Sequence, residues 1–201
     1  MSFEKNIFIN CPFDNDYFPL LKSILFTVIY LDYNPKISET ADSGSTRINK
    51  IKDLIKFSKY SIHDLSRIQS DPLPRFNMPF ECGIDIGFKI VGSGRLKEKV
   101  CLILETEKYR YQQFISDIAG NDIRAHEDKP ELVSKHIRDW LTIQTGDRLV
   151  DYLTIWGDYN EFKTEFDMEL ISNNRNPNDI SALTFTDIID FMSTWIDARE
   201  R

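Results

Sequence analysis

The sequence predicts an α/β fold: a flavodoxin-like doubly wound parallel sheet of about five strands, followed by a C-terminal helical pair. Short apolar runs bounded by polar residues alternate with segments whose apolar residues recur at helical spacing. Strands that alternate with helices form parallel sheets with helices on both faces, and five strands suit a flavodoxin-like domain. We therefore predict an α/β domain over residues 1–146 and an acidic amphipathic helical extension over residues 147–201.

Five apolar runs account for the predicted strands. The clearest run is Val-Cys-Leu-Ile-Leu at residues 100–104, and the first is Asn-Ile-Phe-Ile-Asn at residues 6–10. The remaining strands are predicted at residues 35–38, at residues 59–63 and near Ile123.

Helical periodicity predicts the connecting elements. Helices are expected over residues 17–31, after a cap at Ser45 or Thr46, around Phe80, Ile84 and Phe88, and over residues 130–143. Because Gly83 and Gly87 lack side chains, we expect that face of their helix to pack closely on the sheet. Two further helices follow residue 147, joined by a polar turn at residues 173–178.

Composition and charge exclude several classes of protein. Hydrophobic residues make up 41% of the chain, which excludes global disorder. The longest apolar stretch, residues 23–31, is much too short to span a membrane. Residues 1–146 carry 20 acidic and 20 basic side chains, so the net charge of −7 comes from residues 147–201. A neutral domain with an acidic extension argues against binding to duplex nucleic acid.

The cysteines and histidines predict neither a metal site nor a catalytic triad. The three cysteines are widely spaced without a CxxC pair, and no histidine lies near a cysteine or another histidine. The first residues lack the basic-then-apolar pattern of a signal peptide. We therefore expect a cytoplasmic protein with reduced thiols and no metal.

The fold class indicates where a ligand site would lie. Ligands of open α/β sheets bind outside the carboxyl ends of the strands, which selects residues 10–14, 39–47, 64–67 and 105–111. The helix after the third strand begins near the same edge and carries Glu81. Candidate substrate contacts in these segments, or near the start of that helix, are Asn10, Pro12, Phe13, Ser43, Arg47, Ser66 and Asn77.

Glu81 is the main catalytic candidate. It lies near a helix N-terminus, whose dipole favours an ionised carboxylate. An ionised carboxylate suits a nucleophile, or a partner for the positively charged sugar of a glycosyl-transfer transition state. The alternative is a surface glutamate that only complements the helix dipole.

Two other candidates also have structural alternatives. Asp64 follows the third strand, where it orients a ribose hydroxyl or Glu81, or merely caps the next turn. Ser43 and Arg47 lie before a helix, where backbone N–H groups and a guanidinium suit a phosphate. A plain helix cap or loop is the other interpretation of that segment.

Three motifs resemble, in order and in strand–helix context, the nucleoside 2-deoxyribosyltransferase family. They are residues 7–13 (Ile-Phe-Ile-Asn-Cys-Pro-Phe), 64–66 (Asp-Leu-Ser) and 80–87 (Phe-Glu-Cys-Gly-Ile-Asp-Ile-Gly). The layout is also similar to bacterial TIR domains, which carry a catalytic glutamate on the helix after the third strand. The chain has Cys11 where the transferases have glycine, and it lacks the Trp-Cys pair that precedes the TIR glutamate.

The resemblance implies an enzyme that cleaves, or transfers across, the N-glycosidic bond of a nucleotide such as NAD. Glu81 and Asp64 would be its catalytic residues, and NAD or another nucleotide would be the substrate, with no cofactor. Prokaryotic relatives of this kind act in stress or antiviral defence. The alternative is a non-catalytic nucleotide-sensing or protein-interaction module. The C-terminal helices either dock on their own domain or form a homo-oligomer.

Overall fold

A five-stranded, all-parallel sheet forms the centre of the fold. The computed structural model describes residues 2–40, 46–67 and 75–199. The strands are β1 (Asn6–Asn10), β2 (Asn34–Lys36), β3 (Tyr60–Asp64), β4 (Val100–Glu105) and β5 (Asp122–Ala125). Their order across the sheet is β2-β1-β3-β4-β5, and the predicted flavodoxin-like class is confirmed.

The register follows from the apolar runs. Ile9 of β1 lies beside Ile62 of β3, and Ile62 in turn lies beside Leu102 of β4. All residues of β1 and β3 are buried, as expected for central strands of a parallel sheet. The five strands therefore lie where the sequence places them, within two residues at each end.

Six α-helices lie in the described part of the chain. They are α1 (Phe18–Tyr30), α2 (Arg47–Lys56), α3 (Asn77–Val91), α4 (Pro130–Thr145), α5 (Tyr152–Ser172) and α6 (Phe185–Asp197). The N-cap position of α2 is Thr46, although its side chain makes no capping hydrogen bond; Ser45 lies outside the described residues. Gly146 ends α4 with a φ of +74°, a left-handed conformation that glycine adopts without strain.

The chain divides into two compact units. One contains residues 1–12 and 34–128, and therefore the whole sheet with α2 and α3. The other contains residues 13–33 and 129–201, and therefore α1, α4, α5 and α6. The expected division at residue 146 stays a prediction.

Aromatic packing holds the helical unit together. The ring of Phe26 on α1 lies 5.4 Å from Tyr159, 5.2 Å from Phe162 and 5.8 Å from Trp195, measured between centroids. Met192 is fully buried. Among the large apolar side chains of α5 and α6, only Leu153, Met168 and Ile171 are exposed; the others are buried or half-buried. Within the described residues, none of the helices is both long and apolar enough to cross a membrane.

A chain of buried polar contacts fixes α3 against the sheet. Asp85 of α3 lies 2.9 Å from Nε2 of His63 on β3 and 3.0 Å from Nζ of Lys99, just before β4. The Lys99 ammonium also donates to the carbonyl oxygens of Ile55 and Ser58. Burial alone would raise the pKa of Asp85, but His63 and Lys99 hold it below its ordinary value. This network orients α3 because Asp85 cannot leave it without stranding a buried ammonium.

The periodicity of α3 then decides which residues face inward. Glu81 lies one turn before Asp85 and is buried with it. Gly83 and Gly87 lie on the other side, where an added Cβ would meet no atom within 4 Å. The expectation that these glycines pack against the sheet is therefore wrong. Phe80 is also exposed, whereas the Ile84 and Phe88 side chains predicted beside it pack against the core.

We expect Asp85→Ala to lower the free energy of unfolding by about 3–5 kcal/mol, because it leaves the buried Lys99 ammonium with two carbonyl acceptors but without its carboxylate counter-charge. Urea denaturation measures this. The matched control is Asp53→Ala, which removes an exposed carboxylate paired only with exposed Lys52 and should cost no more than about 0.5 kcal/mol. Equal midpoints for the two variants would contradict this account of α3.

Candidate functional site

Four acidic side chains are buried in the described part of the chain: Asp64, Glu81, Asp85 and Glu105. All four belong to the unit that contains the sheet. A buried carboxylate is costly unless hydrogen bonds or ion pairs compensate it. A buried acid whose carboxylate has such partners is explained by the fold, whereas a buried acid without them is a candidate for function.

Asp64 is held by two contacts at the end of β3. Its Oδ1 accepts a hydrogen bond from the Ser66 backbone N–H at 2.8 Å, and its Oδ2 lies 3.1 Å from Nε2 of His126. Nδ1 of His126 accepts the Asp128 backbone N–H, so the ring proton of the neutral histidine is on Nε2, facing Asp64. The turn-capping interpretation of Asp64 is thus observed, and His126 is a partner that the sequence did not reveal.

Asp64 and Glu81 are not brought together. Side chains alternate between the two faces of a strand. His63 contacts Asp85 of α3, and Leu65 packs in a cluster with α3 residues. Asp64 lies between these two, so its side chain belongs to the face of the sheet opposite α3.

Glu105, at the end of β4, is held by Arg110. The guanidinium donates to both carboxylate oxygens, at 3.0 and 2.5 Å, and it also donates to the Ser66 carbonyl oxygen at 2.6 Å. This bidentate contact ties the segment after β3 to the segment after β4. Glu105 therefore has a structural role.

Glu81 is the exception among the four buried acids. Its side chain is in the first turns of α3, the residue is 6% exposed, and no described residue forms a hydrogen bond or ion pair with its carboxyl group. Burial raises the pKa of Glu81 to about 7, with Arg47 opposing the shift and Glu39 adding to it. The helix dipole was expected to favour the ionised form, but desolvation outweighs it. A buried, unpaired acid with a pKa near neutrality is typical of functional sites.

Arg47 is the predicted contact that lies within electrostatic range of Glu81. It begins α2, and its Nη1 lies 2.9 Å from Oε1 of Glu39 in an exposed ion pair. The guanidinium lowers the pKa of Glu81 by charge attraction. Arg47 is therefore exposed, positively charged and near the candidate carboxylate, as a phosphate contact requires.

Asn10 positions the start of α3. Its side-chain nitrogen donates to the Met78 carbonyl oxygen at 2.9 Å and lies 3.0 Å from Nδ1 of His63. Since an amide nitrogen only donates, the His63 proton is on Nε2, where it is shared with Asp85. Asn10 thus connects the end of β1 to the first turn of α3, three residues before Glu81.

The other predicted contacts are placed as follows. Pro12 is buried and Asn77 is exposed at the first position of α3. Phe13 belongs to the helical unit, where its ring centroid lies 5.3 Å from that of Phe185. The Ser66 hydroxyl is buried and makes no hydrogen bond with any described residue. Ser43 lies outside the described residues.

The cysteines are free thiols, and no metal cluster is present among the described residues. Cys82, next to Glu81, packs in the core cluster with Leu65 and Ile103. Burial raises the pKa of the Cys82 thiol far above its ordinary value. It is therefore a packing residue and a poor nucleophile.

Comparisons of the chain with protein-family models, curated proteins and solved structures give no match.

We expect the stability of Glu81→Gln relative to the parent protein to depend on pH. The folded-state pKa of Glu81 is raised to about 7 from 4.5, so the protonated form stabilises the fold. This contribution is complete below the unfolded-state pKa and is lost as the pH rises through the folded-state value. Glutamine does not titrate, so its stability relative to glutamate should improve by about 2–3 kcal/mol between about pH 5 and pH 8.

Denaturant unfolding at a series of pH values measures this difference. Glu107→Gln, at an exposed position, is the control and should show no such trend. If the difference in unfolding free energy between Glu81→Gln and the parent protein does not change with pH, the Glu81 carboxyl group is solvated and its pKa is not raised by burial.

Proposed function

We propose that this protein is a nucleotide N-glycosidase or (deoxy)ribosyltransferase-like enzyme that acts on a nucleotide such as NAD. The observation that carries the proposal is Glu81, a buried carboxyl group without a partner among the described residues, on the helix after the third strand. The resemblance of residues 80–87 to the nucleophile-bearing helix of deoxyribosyltransferases supports the same assignment.

Glu81 acts in its ionised form. The bond between C1′ of the sugar and the base nitrogen breaks, and its electron pair leaves with the base. One Glu81 oxygen forms a bond to C1′, or stabilises the oxocarbenium ion that precedes it. Water or an acceptor base then attacks C1′ and releases the carboxylate, and the proton of the attacking group passes to solvent.

Arg47 and Asn10 support this reaction in different ways. Arg47 contacts a substrate phosphate with its exposed guanidinium. Asn10 is a positioning residue, since its side chain holds the first turn of α3 through Met78. Asp64 is also assigned a positioning role, because both of its oxygens have partners.

The contacts of Asp64 with Ser66 and His126 also favour a second candidate function, a module that binds a nucleotide or a protein without catalysis. Glycosidases usually employ two carboxylates near the scissile bond, and here the second acid lies on the opposite face of the sheet. A module that senses a nucleotide at Glu81 without turnover, or that uses the same site for a protein interaction, needs no second acid. Such a module would bind nucleotide but release no base.

The wider setting is also part of the proposal. A role as a prokaryotic stress or antiviral defence effector follows only from the resemblance. A cytoplasmic location is supported by the three free cysteines. Self-association through the C-terminal helices stays a prediction, although Tyr159 and Met192 are already buried within their own unit.

Purified protein incubated with NAD, NADP or a deoxynucleoside is expected to release free base, which chromatography detects. Glu81→Gln should reduce the rate by at least about 100-fold, because an amide neither attacks C1′ nor compensates its charge. Glu107→Gln is the control for a lost exposed acid and should retain full activity.

Base release that survives Glu81→Gln would contradict the assignment of Glu81. If neither protein releases base but a nucleotide raises the melting temperature of both, the sensing function replaces the enzymatic one. If neither effect occurs with any of these compounds, both nucleotide functions are wrong.

The rate of base release should depend on pH through Glu81. Its pKa is raised to about 7, and the proposed nucleophile is the ionised form. We therefore expect kcat/KM to rise about tenfold per pH unit below pH 7 and to level off above it. A rate that falls through pH 7 would instead identify Glu81 as a general acid.

A further inference from the structure

The outer face of α3 exposes large apolar side chains on both sides of two glycines. Phe76 and Phe80 are 67% and 61% exposed, and Ile90 and Val91 are 71% and 84% exposed. Gly83 and Gly87 lie between them, where an added Cβ would meet no atom within 4 Å. We call these six residues the α3 outer face.

The spacing of these residues defines a helix-packing seam. Phe76 is the N-cap residue of α3. From it, the positions 80, 83, 87 and 90 follow at alternating steps of four and three residues, which keeps them on one side of a helix. None of the seam residues is charged. The seam is opposite Asp85, which faces the sheet, so it is free of the contacts that hold α3 in the fold.

The exposed area suits a second protein surface. At ordinary side-chain areas, the four large residues together expose roughly 500 Å² of apolar surface, which is within the roughly 300–600 Å² that the largest apolar patch of a monomer covers. Two copies of this face would bury roughly 1,000 Å² from these side chains alone, close to the lower limit of about 1,200 Å² for a stable interface. Glycine backbone and flanking residues add to that area.

The pattern of the seam identifies the occupant. It reads the same in both directions: a large residue, two positions, glycine, three positions, glycine, two positions, a large residue. An antiparallel two-fold arrangement therefore places Gly83 opposite Gly87 of a second copy, and Phe80 opposite its Ile90. Helices approach closely where glycines meet and diverge away from the crossing, where larger side chains fill the gap.

We propose that the α3 outer face pairs with the same face of a second copy of this chain, in an antiparallel, two-fold symmetric dimer. Such an isologous contact closes on itself and produces dimers rather than filaments. The inference does not depend on the proposed catalytic function, since Glu81 lies on the inner side of the helix.

The decisive variant is Gly83→Leu combined with Gly87→Leu. In the monomer an added Cβ at either position meets no atom within 4 Å, and replacing glycine by leucine stabilises a helix by about 1 kcal/mol per residue. The fold is therefore preserved or strengthened, while the two leucines prevent close approach of the helices. Gly157→Leu on α5 is the matched control, because its added Cβ also meets no atom within 4 Å.

Sedimentation equilibrium over a concentration series measures the result. We expect the parent protein and Gly157→Leu to dimerise alike, with a monomer of 23.6 kDa, and the double leucine variant to bind itself at least tenfold more weakly. A parent protein that stays monomeric overturns the proposal. A double variant that dimerises as well as the parent also overturns it and assigns the contact elsewhere, for example to the C-terminal helices.

Disulfide cross-linking tests the antiparallel orientation. Gly83→Cys combined with Gly87→Cys should form a covalent dimer under mild oxidation, because each cysteine faces the other position of the second copy. Each single variant should cross-link no more than the parent protein. Cys11 and Cys82 are buried, and the half-buried Cys101 is present in all of these proteins, so it contributes the same background to each. Efficient cross-linking of the single variants would indicate a parallel pair and would overturn the symmetry proposed here.

Discussion

The buried contacts of Asp85 with His63 and Lys99 determine what α3 presents to each side. Once Asp85 is fixed against the sheet, α3 cannot rotate about its axis, and the helical repeat determines the direction in which every other side chain points. Glu81 is carried inward, and Gly83 with Gly87 is carried outward. One ion-paired network thus sets both the burial of the candidate catalytic acid and the exposure of the apolar seam.

The unpaired state of Glu81 is costly to the fold, and the chain avoids that cost at its other buried acids. Asp64, Asp85 and Glu105 each have hydrogen-bond or ion-pair partners. At Glu81 the cost appears as a pKa raised to about 7, because burial favours the protonated form more strongly than the charge of Arg47 opposes it. A group that destabilises its own fold when ionised is more readily explained by a ligand than by packing.

The sequence predicts the order of elements well, but not which side chains meet. Apolar runs such as residues 100–104 and the periodic apolar residues of α4 are local signals, so strands and helices are found within a few residues. The contact between His63 and Asp85 joins a strand to a helix, and no spacing rule reveals it. The face of the sheet on which the Asp64 side chain lies depends on the register of alternating side chains along β3, and a shift of one residue would place it on the other face. The spacing of Gly83 and Gly87 likewise shows that they share a face of α3, but it does not show whether that face lies against the sheet or is exposed to solvent.

The charge of Glu81 also discriminates among substrates of the proposed reaction. A desolvated carboxylate gains most from a ligand that carries positive charge next to it. NAD has such a charge on its nicotinamide ring, and the electron pair of the breaking bond neutralises that ring as it leaves. A deoxynucleoside has a neutral base, whose departure needs a proton from elsewhere, and the other buried acids of the described residues, Asp64, Asp85 and Glu105, already have partners. With Glu81 ionised, the electrostatics therefore favour a cationic leaving group over a neutral base.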